Sequence, residues 1–101
     1  MTTVEMFNDI IAENKGILTA GKMMNLIKKL AEKKQYNEIP YGIGLLMNFQ
    51  NGKDVQRAYY NVIDIAITNR DFDIAEKYNA LTADEDLKQE WTEIIAEKKG
   101  L

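Results

Sequence analysis

Apolar residues recur at helical spacing along almost the whole chain, and alternating strand patterns are missing. A first helix is predicted over about 3–14. Thr2 and Glu5 form a capping-box pair before it, Val4, Phe7, Ile10 and Ile11 make one stripe, and Gly16 stops it. A second is predicted over about 20–34, with Thr19 as N-cap and Met23, Ile27, Leu30 and Ala31 facing inward. Asn37 can cap a third, which holds Pro40 in its first turn, where a missing amide costs little. Its apolar face reads Ile39, Ile43, Leu46 and Phe49. Gly42 and Gly44 weaken it intrinsically but allow a neighbouring helix to come close. Asn51-Gly52 is a stop and turn.

The fourth helix, about 53–69, carries the broadest apolar surface: Val55, Ala58, Tyr59, Val62, Ile63, Ala66 and Ile67. Such breadth implies contact with more than one neighbour. Of the adjacent Tyr59 and Tyr60, about 100° apart on a helix, one is expected in the core and the other nearer solvent. Asp71 caps a short fifth helix bearing Phe72, Ala75, Tyr78 and Leu81. Thr82 with Glu85 reads as a second capping box, opening a last helix over about 83–99 with Leu87, Trp91, Ile94 and Ile95 inside. Short connections make successive helices antiparallel neighbours. The expectation is a single all-α domain over 1–101: about six short amphipathic helices in antiparallel hairpins, packed as a compact bundle or a short repeat array.

Two internal echoes bear on that choice. Ile10-Ile11-Ala12-Glu13 returns as Ile94-Ile95-Ala96-Glu97, which is how helices with an inward Ile-Ala seam end. A longer echo aligns segment 26–46 with segment 62–81 at a period of about 36 residues, pairing Ile27 with Ile63, Leu30 with Ala66, Tyr36 with Phe72 and Leu45 with Leu81. Around Asn69-Arg70-Asp71-Phe72, with Ala75 three residues on and Tyr59 upstream, the stretch 20–82 resembles tetratricopeptide-like helical-hairpin repeats. Ile63, Ala66 and Asn79 depart from that family's usual residues, and no proline closes the unit. The resemblance implies a concave face lined by first helices, with Met24 and Lys28 from one unit and Arg57, Tyr60 and Asp64 from the next as candidate partner-binding residues.

Composition narrows the chemistry. The 101 residues contain no Cys and no His, and Ser is absent as well. Nucleophilic triads and structural zinc sites therefore have no ligands or bases to use. Gly42-x-Gly44 lacks the third glycine of a phosphate loop and sits in a predicted helix. The acidic clusters Asp71, Asp73, Glu76 and Asp84, Glu85, Asp86 fall at helix N-termini, where negative charge is favoured without any catalytic role. No enzyme activity, metal or cofactor is expected.

The net charge is −3, with residues 1–50 carrying 6 Lys against 5 Asp or Glu, and 51–101 carrying 7 Lys or Arg against 11 acids. A basic run of Lys28, Lys29, Lys33 and Lys34, which Arg57 and Arg70 can extend, is interrupted by Glu32 and suits the helix dipole. No apolar run approaches the ~18 residues of a membrane span, and the N-terminus lacks a signal-peptide pattern. The expectation is a non-enzymatic protein-interaction module in the cytoplasm, a small regulator or inhibitor of a protein partner. The alternatives are a nucleic-acid-associated factor using the lysine-rich helix, and a self-assembling homo-oligomer. The Lys-, Asn- and Ile-rich composition suggests a low-GC genome, bacterial or phage.

Overall fold

Thr2 opens the first helix as its spacing predicts: its hydroxyl accepts from the Glu5 amide at 3.1 Å, and Glu5 reaches back to the Thr2 amide. The computed structural model describes residues 1–48 and 52–100. Within them the chain is all-α: α1 Thr3–Glu13, α2 Ile17–Glu32, a 3-10 turn Tyr36–Glu38, α3 Ile39–Leu46, α4 Gly52–Thr68, α5 Phe72–Leu81 and α6 Glu85–Lys99. Phe49 and Asn51 of the predicted third face and turn lie outside the described residues.

The principal contacts join helices one or two steps apart in chain order. Each helix packs on the next, α2 lies along α4, and α1 also reaches α3. The result is a compact but oblong stack, 44 × 27 × 16 Å. Its radius of gyration is 13.8 Å, near the ~13 Å of an ordinary globular domain this size.

The 36-residue echo is written into the packing. Lys34 and Arg70, 36 residues apart, are the two non-glycine residues with positive φ among the described residues, both at 61°. Each lies just past a helix end. At the first corner the Gln35 amide donates to the Leu30 carbonyl (2.8 Å) and the Lys34 amide to Ala31 (3.0 Å). At the second the Asp71 amide donates to Ala66 (2.8 Å) and the Arg70 amide to Ile67 (2.9 Å). These are paired Schellman stops, which satisfy carbonyls a helix end leaves open.

Burial repeats with the same offset. Thr19, Met23, Leu26, Ile27 and Leu30 of α2 correspond to Val55, Tyr59, Val62, Ile63 and Ala66 of α4, and all ten are buried. Ile39, Gly42, Ile43 and Leu46 of α3 correspond to Ala75, Tyr78, Asn79 and Thr82, also buried. Even α1 joins the register, because the fully buried Phe7 stands 36 residues before Ile43. Each large apolar side chain so buried contributes about 1.5–3 kcal/mol against staying exposed. Gly42 is where α1 and α3 come together: a Cβ there would run into the Phe7 ring.

Several local expectations are corrected. Thr19 is a buried residue inside α2, not its N-cap; Gly16, at φ 61°, turns the chain directly into Ile17. Asn37 sits in the 3-10 turn, and Glu38 takes the cap position of α3 without a side-chain hydrogen bond. The Thr82–Glu85 capping box does not form. Asp84 caps α6 by accepting from the Leu87 amide (3.0 Å), while the Thr82 hydroxyl donates to the Asn79 carbonyl (2.7 Å). Val4, Leu81 and Ile94, expected inside, are exposed, and Leu87 and Trp91 are only partly buried. These residues lie on α1, α5 and α6, toward the two ends of the stack, where fewer helices remain to cover them. The tyrosine pair behaves as its spacing predicts, with Tyr59 buried and Tyr60 half-buried.

Candidate functional site

Because α2 and α4 occupy the same place in successive hairpins, their exposed edges meet along a groove. α2 supplies Ile17, Met24, Asn25 and Lys28, and α4 supplies Asp54, Arg57 and Asn61. Met24 is mostly buried and forms the apolar floor rather than a free contact. Lys28 and Arg57 are exposed cations, and Asp54 is a half-buried anion. Asn25 and Asn61, again 36 residues apart, line the same groove, so each hairpin offers an amide with donors and an acceptor.

Three of the five residues singled out from the sequence, Met24, Lys28 and Arg57, therefore share one groove. Tyr60 and Asp64 do not line it. They repeat the positions of Met24 and Lys28 one hairpin later, Tyr60 half-buried and Asp64 exposed. Burial, and then the Asp84 charge, raise the Tyr60 phenol above its ordinary value of 10.0.

Beside this groove, the two corners are tied to each other by polar contacts that local sequence reading missed. The Tyr36 hydroxyl donates to Asp71 (2.6 Å) and accepts from the Asn69 amide (3.0 Å), which also donates to the Ala31 carbonyl (3.1 Å). Lys34 approaches Asp71 at 3.8 Å. Burial and then the Asn69, Asp71 neighbours act on the Tyr36 phenol: burial raises its pKa, Asn69 lowers it, Asp71 raises it, and the net direction is up. The available signal was the aromatic at the same point of each echo, Tyr36 and Phe72. At the second corner the ring stacks under a cation instead, with the Arg70 guanidinium 5.0 Å from the Phe72 centroid.

Four of the six residues in the acidic clusters have structural partners, Glu85 through Lys88 at 3.5 Å. Asp71 holds Tyr36, Glu76 pairs with Lys99, and Asp84 caps α6. Among the described residues no group of three acidic side chains is placed to hold a metal ion. Lys28, Lys29, Lys33 and Lys34 are exposed; Arg57 lies in the groove, whereas Arg70 is drawn to Phe72 and the Lys98 carbonyl (3.4 Å) and does not extend a common patch. No described helix is long and apolar enough to cross a membrane.

The chain matches no protein-family model, no curated protein and no solved structure. The tetratricopeptide likeness thus rests on the quoted residues alone.

Proposed function

We propose that this chain is a non-enzymatic protein-interaction module, a small regulator or inhibitor that holds a protein partner in the α2–α4 groove. One observation carries the reading: Lys28 and Arg57, from corresponding helices of two hairpins, flank a common groove floored by Met24. Asn25 and Asn61 add paired amides, which suit the donors and acceptors of a polypeptide main chain. Tyr60 and Asp64 extend the contact along α4, and the half-buried tyrosine is a good anchor. The cytoplasm is the compartment this reading assigns.

The test is affinity capture from source-cell lysate, with and without nuclease, followed by direct binding of the recovered protein. Replacing Lys28, Arg57 and Tyr60 together by Ala should weaken that binding at least about tenfold while the helical circular dichroism stays unchanged. Undiminished affinity of the triple variant rejects the groove. Capture that disappears with nuclease transfers the case to the exposed lysines and to nucleic acid.

A further inference from the structure

Apart from the α2–α4 groove, the two ends of the stack carry complementary, uncovered surfaces. At one end α1 and α2 enclose a second groove lined by Met6, Ile10 and Leu26, with Lys22 and Lys29 along α2 and Asp9 on α1. Lys33 continues the α2 edge, and Lys22, Lys29 and Lys33 are exposed and make no ion pair among the described residues. Met6 is 38% exposed.

At the other end α6 has its principal contact with α5 alone. Asp86, Glu90, Glu93 and Glu97, at steps of four, three and four, fall on one helical stripe and are all exposed. Ile94 stands beside them, 37% exposed. Gln89 donates to Glu93, and Lys88 approaches Glu85 on a different side of the helix. The Lys29-to-Lys33 and Lys22-to-Lys29 steps of α2 equal the Asp86-to-Glu90 and Glu90-to-Glu97 steps of α6. An antiparallel approach therefore meets three lysines with three carboxylates in one register.

We propose that α6 of one copy docks on the α1–α2 groove of a second copy, so that the stack continues from one chain into the next. Ile94 enters the apolar floor at Met6 and Leu26, while Lys22, Lys29 and Lys33 face Glu97, Glu90 and Asp86. Such a contact is heterologous, joining two different patches of the same chain. It uses residues other than Lys28, Arg57 and Tyr60, so its failure leaves the α2–α4 groove untouched.

Sedimentation equilibrium of the whole chain tests it. The expected result is concentration-dependent association at low salt that weakens at least about tenfold between ~20 and ~500 mM salt. Lys22→Glu with Lys29→Glu, or Glu90→Lys with Glu97→Lys, should each leave a monomer. Mixing the two variants should restore a complex, since each reversed patch now meets its opposite. The chain has no cysteine, so Lys29→Cys mixed with Glu90→Cys should form an intermolecular disulfide faster than either with Lys77→Cys on α5. A wild type that stays monomeric at about 1 mM and low salt overturns the proposal. So does association that survives either reversal, or that the mixture does not restore.

Discussion

Two glycines two residues apart on α3 make opposite predictions. Gly42 is buried against the Phe7 ring, so Gly42→Ala forces α1 and α3 apart and should cost about 1–3 kcal/mol. Gly44 is exposed, with nothing within 4 Å of where a Cβ would stand. Gly44→Ala should stabilise by about 0.5–1 kcal/mol through helix propensity. Urea midpoints of the two variants check both signs, and equal effects would show that α1 does not press on Gly42. Tyr36 supplies a second test. Tyr36→Phe removes both a donor to Asp71 and an acceptor for Asn69, a loss of about 1–2 kcal/mol at neutral pH. Its folded pKa is raised above the ordinary 10.0, so the folded state holds the proton more tightly than the unfolded chain. The resulting stability is complete below about pH 10 and falls as pH rises through the folded value. Tyr60 and Tyr78 are raised in the same direction, chiefly by burial. The alkaline loss of stability should therefore shrink in Tyr36→Phe without vanishing, as urea titrations at about pH 8 and about pH 11 would read.

At the scale of elements, the helix cores were legible because period and burial agree, and so was the Thr2–Glu5 start of α1, whereas the start of α6 was not, because more than one residue could serve as its cap. Thr82 and Asp84 both precede α6 with cap-forming side chains. The chain resolves the competition by burying Thr82, whose hydroxyl turns back to the Asn79 carbonyl, and leaving Asp84 to the helix. Asp84→Ala should accordingly cost about 1 kcal/mol, whereas Glu85→Gln should change thermal stability by only a few tenths. The reverse order would restore the Thr82–Glu85 box. Thr19 misled for a related reason: a threonine ahead of a helical stripe reads as a cap, but Gly16 begins the helix earlier and carries Thr19 into the interior. The candidate groove was partly legible. Met24, Lys28 and Arg57 follow from hairpin register, because α2 and α4 repeat at the same offset. The Asn25–Asn61 pair obeys the same arithmetic but needs the two helices side by side before it becomes a surface. Tyr60 and Asp64 do not line the groove, because they repeat the positions of Met24 and Lys28 one hairpin later.

At the scale of the molecule, helices that touch mainly their neighbours in chain order need not unfold as one. The middle is double-sided: α4 is packed by α2, α3 and α5, and buries Val55, Ala58, Tyr59, Val62, Ile63 and Ala66. The C-terminal end is not. α6 buries Ile95 alone and is held to α5 by polar contacts, the Asn79 amide donating to the Lys88 carbonyl (3.1 Å) and the Thr92 hydroxyl (3.1 Å). Asn79 stands at the position that Ile43 and Phe7 fill 36 and 72 residues earlier in register, and its side-chain amide oxygen Oδ1 is buried with no protein partner. An apolar packing position has been exchanged for a polar latch that is only half satisfied, which lowers the cost of lifting α6. Native-state hydrogen exchange, at concentrations low enough to keep the chain monomeric, should therefore find the amides of α6 opening at least about 2 kcal/mol below those of α2 and α4. Asn79→Ala should lower α6 further while leaving α2 unchanged. Uniform protection across α2, α4 and α6 would mean that the six helices close as one cooperative bundle, and that the repeat governs the geometry of this chain but not its energetics.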